Sequence, residues 1–269
     1  MPMHPVVLFM EVDDDDSFSS EYRVQIGNCV NYLIISPNTF DKDRLSFSVQ
    51  SLPALPWNGD WTMAHISRDD ISGELRTSIS TRPLAGVRYQ RHDIMADCLD
   101  LMNSKMLTAM AFEAVRYSIT PSSDRLPVTT VIAKIARFEW EIPRIERESR
   151  AYQLLDGSGL APPFLGHIRE NGRIIGFLLK KVKGCHATIQ DLKICEAAPG
   201  NFRKLGLLHG DVNRYNFLVT QEGVKLLDFE CFQVNASSQS MHRELGSIRM
   251  KLMEISGRGG GFVTQDDSN

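Results

Sequence analysis

The sequence of 269 residues is poor in cysteine, in surplus charge and in long apolar runs. Its five cysteines, Cys29, Cys98, Cys185, Cys195 and Cys231, are odd in number and widely spaced, which suggests neither a disulfide framework nor a Cys-x-x-Cys metal knuckle. A reducing, cytoplasmic compartment is therefore expected. Thirty basic residues face 33 acidic ones, a formal charge of -3, so no general electrostatic drive toward nucleic acid exists. Charges interrupt every apolar run well short of the roughly 20 residues a spanning helix needs. The run Pro5 to Met10 is too short for a signal-peptide core and leads straight into the acidic stretch Asp13 to Asp16, which reads as a solvated segment. Neither a membrane nor a nucleic acid is an expected partner, and no repeat with a period of about 20 to 50 residues points to a solenoid.

What is present is an ordinary globular composition, 42% hydrophobic, enough for one large core or two modest lobes. The character changes near residue 120. Before it, Tyr22 to Ile26, Leu45 to Val49 and Glu74 to Ser80 read as strands separated by Pro, Gly, Asn and Asp. Trp57 and Trp61 flank the turn dipeptide Asn58-Gly59 and are expected in a core or hairpin clamp rather than stacked on a ligand. Met95, Cys98, Leu99, Met102, Leu107 and Met110 fit an apolar helical stripe, while Ala111 to Ile119 reads equally well as a strand. After residue 120, Val128 to Ile135 is a β-branched run, Pro143 to Leu155 has helical spacing and Ile174 to Lys180 is strand-like. A helix over Ile189 to Leu205 is interrupted by Pro199 and Gly200, both poor helix formers. Two short strands follow, Phe217 to Thr220 and Val224 to Asp228, and the chain closes on a glycine-rich tract from Gly257 and a polar tail.

Four fragments occur in the order a phosphoryl-transfer site requires. Val131-Ile132-Ala133-Lys134 ends an apolar strand on a lysine, suited to reach the α- and β-phosphates of a nucleotide. An ammonium on a flexible stem needs a carboxylate to hold it. Glu148, 14 residues on, is the candidate and Glu146 its competitor; without the other fragments both would read as a charged helix face shared with Arg144, Arg147 and Arg150. His209-Gly210-Asp211-Val212-Asn213-Arg214-Tyr215-Asn216 has the spacing HxDxxxxN. In it Asp211 would orient or accept the proton of an acceptor hydroxyl, and Asn216 would reach a Mg²⁺ ion. Asp228 of Leu227-Asp228-Phe229, 12 residues after Asn216, would supply the anionic oxygen a hard cation wants. His209 is expected to brace the loop from within, Cys231 to fill space, and His167, His186 and His242 lack metal-ligand spacing.

Residues 128 to 232 resemble the protein-kinase-like superfamily, and the His-Gly-Asp form is similar to that of aminoglycoside and choline phosphotransferases and of RIO-type atypical kinases. The wording ESRAYQLLDGSGLAPPFLGHI with LLHGDVNRYNFLV also resembles small kinase-like proteins of filamentous fungi. The resemblance implies an α+β, bilobal fold with an antiparallel-sheet N-lobe and a small, mostly helical C-lobe. The division it suggests is an N-terminal β-rich extension and start of the N-lobe (1–120), the N-lobe (121–183), the C-lobe with the catalytic loop (184–256) and a flexible tail (257–269). It further implies ATP and Mg²⁺ as cofactors and phosphorylation of a hydroxyl on a small molecule or a protein, with Lys134 and Glu148 on the nucleotide, Asp211 catalytic, and Asn216 and Asp228 on the metal.

The pattern has departures. No GxGxxG loop precedes Lys134, the stretch Ser118 to Val128 offering only Ser and Thr groups. Gly210 replaces the arginine that pairs with a phosphorylated activation loop, Glu230 replaces the glycine after Asp-Phe, no Ala-Pro-Glu motif follows, and only 39 residues remain beyond Glu230. The missing arginine and small C-lobe favour a small-molecule acceptor slightly. The alternative is a pseudokinase, a binding or scaffolding module without turnover.

Overall fold

The computed structural model describes residues 5–13, 15, 17–41, 45, 60–116, 129–254, 256, 257 and 260. The architecture is mixed α+β, with several sheets and three α-helices among the described residues. No helix there is long and apolar enough to cross a membrane. The chain separates into two compact units, one comprising Met1–Gly86, Arg137–Trp140 and Glu170–Arg173, the other Val87–Ala136, Glu141–Arg169 and Ile174–Asn269.

The first unit is built on a five-stranded sheet, β1 (Val6–Glu11), β2 (Ser20–Ile26), β3 (Cys29–Ile35), β4 (Met63–Arg68) and β5 (Leu75–Ser80), in sequential order. Every pairing is antiparallel except β3 with β4. Tyr22, Val24, Leu33, Ile35, Ala64, Ile66 and Trp61 form its core, so Trp61 is a packing residue. Trp57, Asn58 and Gly59 lie outside the described residues, as does most of Leu45 to Val49. A buried polar knot was not foreseen from the sequence: Glu170 pairs with Arg23 and Arg173 and accepts a hydrogen bond from Tyr32 Oη at 2.6 Å. Burial pushes the Glu170 carboxyl up, and the two guanidinium groups more than reverse this, leaving it below the usual range.

The second unit carries a six-stranded sheet in the order β6-β10-β11-β9-β8-β7: β6 (Met95–Asp97), β7 (Leu101–Met106), β8 (Ala111–Arg116), β9 (Thr129–Ile135), β10 (Phe164–Glu170) and β11 (Arg173–Lys180). β7, β8, β9 and β11 pair antiparallel in a row, and β6 joins β10 in parallel. Helix α1 (Ile142–Leu154) lies between β9 and β10 in sequence. Beyond the sheet come β12 (Cys185–His186), α2 (Leu192–Lys204), β13 (Leu207–Leu208), the hairpin β14 (Phe217–Thr220) and β15 (Gly223–Leu226), β16 (Gln233–Val234) and α3 (Ser238–Met253). β13 pairs with β16, β12 with β14, and α2 packs on α3.

Two local expectations are corrected. The stripe from Met95 to Met110 is not an α-helix but β6, a 3-10 turn (Cys98–Asp100), β7 and a turn. A helix would have had to bury that stripe, whereas Met102 is 52% exposed, and pairing with β8 satisfies the β7 backbone instead. Pro199 and Gly200 do not break their helix: α2 runs continuously through both. Cys195, Ala198, Pro199 and Phe202 form its buried face, and that packing outweighs poor helix propensity.

Candidate active site

Strand β9 alternates: Val131, Ala133 and Ile135 are buried, and Lys134 emerges from the opposite face of the pleat. On α1, Ile145, Glu148 and Tyr152 fall at helical spacing on one buried face. Lys134 Nζ makes an ion pair with Glu148 and lies 2.8 Å from Asp228 Oδ1. Glu146, the competing carboxylate, is turned toward Arg88 at 3.6 Å.

The three charges are unequally immersed. The Glu148 side chain is 1% exposed, that of Lys134 12% and that of Asp228 35%. Burial works against the Lys134 charge, but the attraction of Glu148 and Asp228 outweighs it and the ammonium is held firmly protonated. Glu148 is pushed up to about 7, chiefly by loss of water; Lys134 pulls it back and the neighbouring Asp228 charge raises it further. Asp228 adopts a left-handed backbone with φ 60°, a conformation an L-residue holds only where its surroundings demand it.

Below the hairpin β14–β15 lies the loop 209–216. Its backbone is fixed by side chains from three directions. The buried His209 donates from Nε2 to Leu227 O at 2.9 Å and accepts the Asp211 N–H on Nδ1 at 3.3 Å. Only a neutral ring does both, and burial lowers its affinity for a second proton. Asn213 Oδ1 accepts the amides of Tyr215 and Asn216 and starts the short 3-10 turn Arg214–Asn216. Glu244, on α3, accepts the Gly210 amide at 2.7 Å and the His209 amide at 3.3 Å.

Within this loop Asn216 Nδ2 donates to Asp211 O at 2.9 Å and to Asp211 Oδ2 at 3.3 Å. Asn213 Nδ2 also reaches Oδ2, at 3.2 Å, while Oδ1 receives no hydrogen bond from the described residues. The Leu227 amide donates to Asn216 O at 2.9 Å, which sets Asp228 directly beside Asn216. Lys134, Glu148 and Asp228 thus form one ion cluster, and Asp211 and Asn216 one hydrogen-bonded pair, joined through the backbone bond of residues 216 and 227.

Phe229 anchors the assembly. It is fully buried, stacks on Phe202 at 5.8 Å between centroids, meets Tyr152 edge-on at 5.1 Å and His209 at 5.2 Å. One aromatic side chain therefore ties α1, α2 and the 209–216 loop to the residue after Asp228. Gly210 is required by its own backbone: φ is 86°, and a Cβ there would stand 2.3 Å from Cys231 O. Cys231 itself is exposed rather than a space filler.

Compared with known proteins, the chain matches no family model, and no curated protein matches it. Its function has to be read from its own geometry.

Two participants escaped the sequence reading. Glu244 lies 33 residues after Asp211 with no motif of its own. The turn Leu107 to Met110 between β7 and β8 sits next to the lysine strand, since Met110 O accepts the Ile135 amide at 2.9 Å and Ala111 pairs with Lys134. It contains no glycine; Thr108 Oγ1 instead accepts the Ala111 amide at 3.0 Å. Strand order, which sequence spacing does not encode, brings this turn beside Lys134; Ser118 to Val128 lies outside the described residues.

The donor set suits Mg²⁺. Asp228 and Asn216 offer oxygen ligands on adjacent backbone, and no group of three or more His, Cys, Asp or Glu residues able to hold a metal occurs among the described residues. Mg²⁺ fits such a set, because it is commonly bound by one or two protein oxygens together with substrate phosphates.

Proposed function

We propose that this chain is a kinase-like phosphotransferase that transfers the γ-phosphoryl group of ATP to a hydroxyl. The observation that carries the reading is the Lys134–Glu148–Asp228 cluster joined to the Asp211–Asn216 loop. Separately, each is an ordinary ion pair or hydrogen bond. Together, a fixed cation, a carboxylate suited to a metal and a carboxylate with one oxygen unbonded among the described residues support the reading, because phosphoryl transfer draws on such groups. Support for a bilobal kinase-like fold comes from the antiparallel run β7-β8-β9 followed by α1, with β11 next to β9 and the β14–β15 hairpin ending at Leu226, two residues before Asp228.

Each residue has a defined task. Lys134, oriented by Glu148, neutralises phosphate oxygens; Asp228 and Asn216 hold the metal, which spreads the negative charge of the phosphates when bound. Asp211 orients the acceptor hydroxyl with the oxygen its amide partners leave free. The reading goes with ATP and Mg²⁺ as cofactors and with a cytoplasmic setting. Glu230, held through its carbonyl by Arg147 and near Arg144, stands where kinases of this type carry glycine, and it favours the alternative of a nucleotide-binding pseudokinase.

The test is Mg²⁺-dependent ATP turnover across hydroxylated acceptors, with Asp211→Asn beside the parent. Asn is nearly isosteric, so nucleotide binding should persist while kcat falls on the order of 10²-fold or more. Nucleotide binding without turnover in the parent would decide for the pseudokinase. No binding of Mg-ATP would end both readings.

A further inference from the structure

A cavity of about 330 Å³ opens beside the loop, with Asp211 on one wall and α3 on the other. Ser240, Glu244, Ser247 and Lys251 follow one another at i, i+4, i+7 and i+11 and so share a helix face, and Arg243 lines the same cavity. The charges there are not equivalent. Glu244 is committed to the amides of His209 and Gly210. None of the ion pairs among the described residues involves Arg243 or Lys251, and eight residues of helix place the two about 12 Å apart along one wall. Asp211 turns one oxygen, Oδ1, away from its amide partners.

We propose that this cavity is the acceptor site and that the acceptor is a small hydroxylated anion, bearing a carboxylate or a phosphate. The inference rests on the phosphotransferase reading and deepens it. The volume lies near the lower end of the roughly 300–1,000 Å³ of small-molecule sites, so the acceptor is compact. Two cations with no ion-pair partner among the described residues attract an anion and repel an aminoglycoside or a choline, which sets this chain apart from the phosphotransferases its loop resembles. Ser247 adds a neutral hydrogen-bonding group between the cations, and Ser240 one a turn before Arg243. Arg243 and Lys251 supply the positive charge that draws in the anionic end, and the hydroxyl meets Asp211 Oδ1. In the reaction the acceptor oxygen bonds to the γ-phosphorus as the bond from that phosphorus to the β–γ bridging oxygen breaks. Nucleoside diphosphate leaves with the electron pair, and the hydroxyl proton passes to Asp211.

The test begins with binding rather than turnover. Calorimetry on the full chain compares glycerate and glycerol 3-phosphate with glycerol, choline and a serine-containing peptide, and Mg-ATP is titrated separately. The two anions should bind, and the phosphorylated or carboxylated source of the charge is identified by which binds tighter. Arg243→Gln with Lys251→Gln should weaken anion binding by about 10-fold or more, raise the acceptor KM, and leave Mg-ATP binding unchanged. Glutamine at these helix-surface positions keeps the fold, which intact Mg-ATP binding verifies. Equal or better binding of glycerol, choline or the peptide would overturn the proposal. So would unchanged anion affinity in the double variant, or no anion binding by a parent that binds Mg-ATP. A parent that binds the anions but not Mg-ATP would instead overturn the phosphotransferase reading and, with it, the role of the bound anion as an acceptor.

Discussion

Replacing Lys134 by Met removes the only cation of the buried cluster while keeping a stem of similar length. Glu148, 1% exposed, is left against an apolar wall with Asp228 as its nearest charge. Breaking a buried pair in this way costs about 3–5 kcal/mol while the remaining partner stays ionised. The cost depends on pH, and its sign follows from Glu148. The carboxyl is lifted in the parent from the ordinary 4.5 to about 7, and loss of Lys134 lifts it further. Below about 4.5 folded and unfolded chains both carry the proton and no penalty arises. Between about 4.5 and about 7 the folded parent and the folded variant both retain the proton and lose stability alike; above about 7 only the folded variant retains it, so its defect grows by about 1.4 kcal/mol per pH unit. The defect should therefore be small at pH 5 and large at pH 8. All three tryptophans fall within the residues of the first unit, so fluorescence is the wrong probe. Hydrogen exchange of the α1 amides, corrected for its intrinsic pH dependence, reads the second unit directly. Relative to the parent, protection should fall by about 10-fold more at pH 8 than at pH 5. Lys134→Met combined with Glu148→Leu should restore most of it, since no buried charge then lacks a partner. A single variant losing under about 1 kcal/mol at pH 8, or a double variant no better than the single, would refute this account.

Two further substitutions probe the loop. Gly210→Ala places a methyl group 2.3 Å from Cys231 O at a φ of 86°, so it should cost about 1–3 kcal/mol and lower turnover by displacing Asp211; thermal denaturation and kinetics check both, and a parent-like result would contradict the steric argument. Glu244→Gln leaves one of two loop amides facing an NH₂ group instead of an oxygen. A loss of about 1–3 kcal/mol is expected, with faster exchange of the Gly210 or His209 amide; unchanged exchange at both would remove Glu244 from its supporting role.

Local chemistry in the sequence determined more of the candidate site's geometry than of the fold. The alternation of Val131, Ala133 and Ile135 sets Lys134 on the opposite face of its strand, and the spacing of Ile145, Glu148 and Tyr152 sets the glutamate on a buried helix face, because both periods are properties of the backbone itself. The loop from His209 to Asn216 carries its own turn chemistry in Asn213. The first unit's strands were legible in part, from alternation bounded by turn residues. What needed the tertiary structure was every choice between alternatives that are locally equal. Glu148 and Glu146 differ by two positions on one helix, and only the location of Lys134 and Arg88 distinguishes them. Met95 to Met110 has helical periodicity, yet pairing of β6 with β10 and of β7 with β8 makes most of it strands; Pro199 disfavours a helix, yet burial of its face keeps α2 whole. Glu244 and the Leu107 to Met110 turn carry no local signal, because their importance comes from which distant backbone they face. The same holds for Arg243 and Lys251, whose meaning as a pair depends on the cavity they share with Asp211.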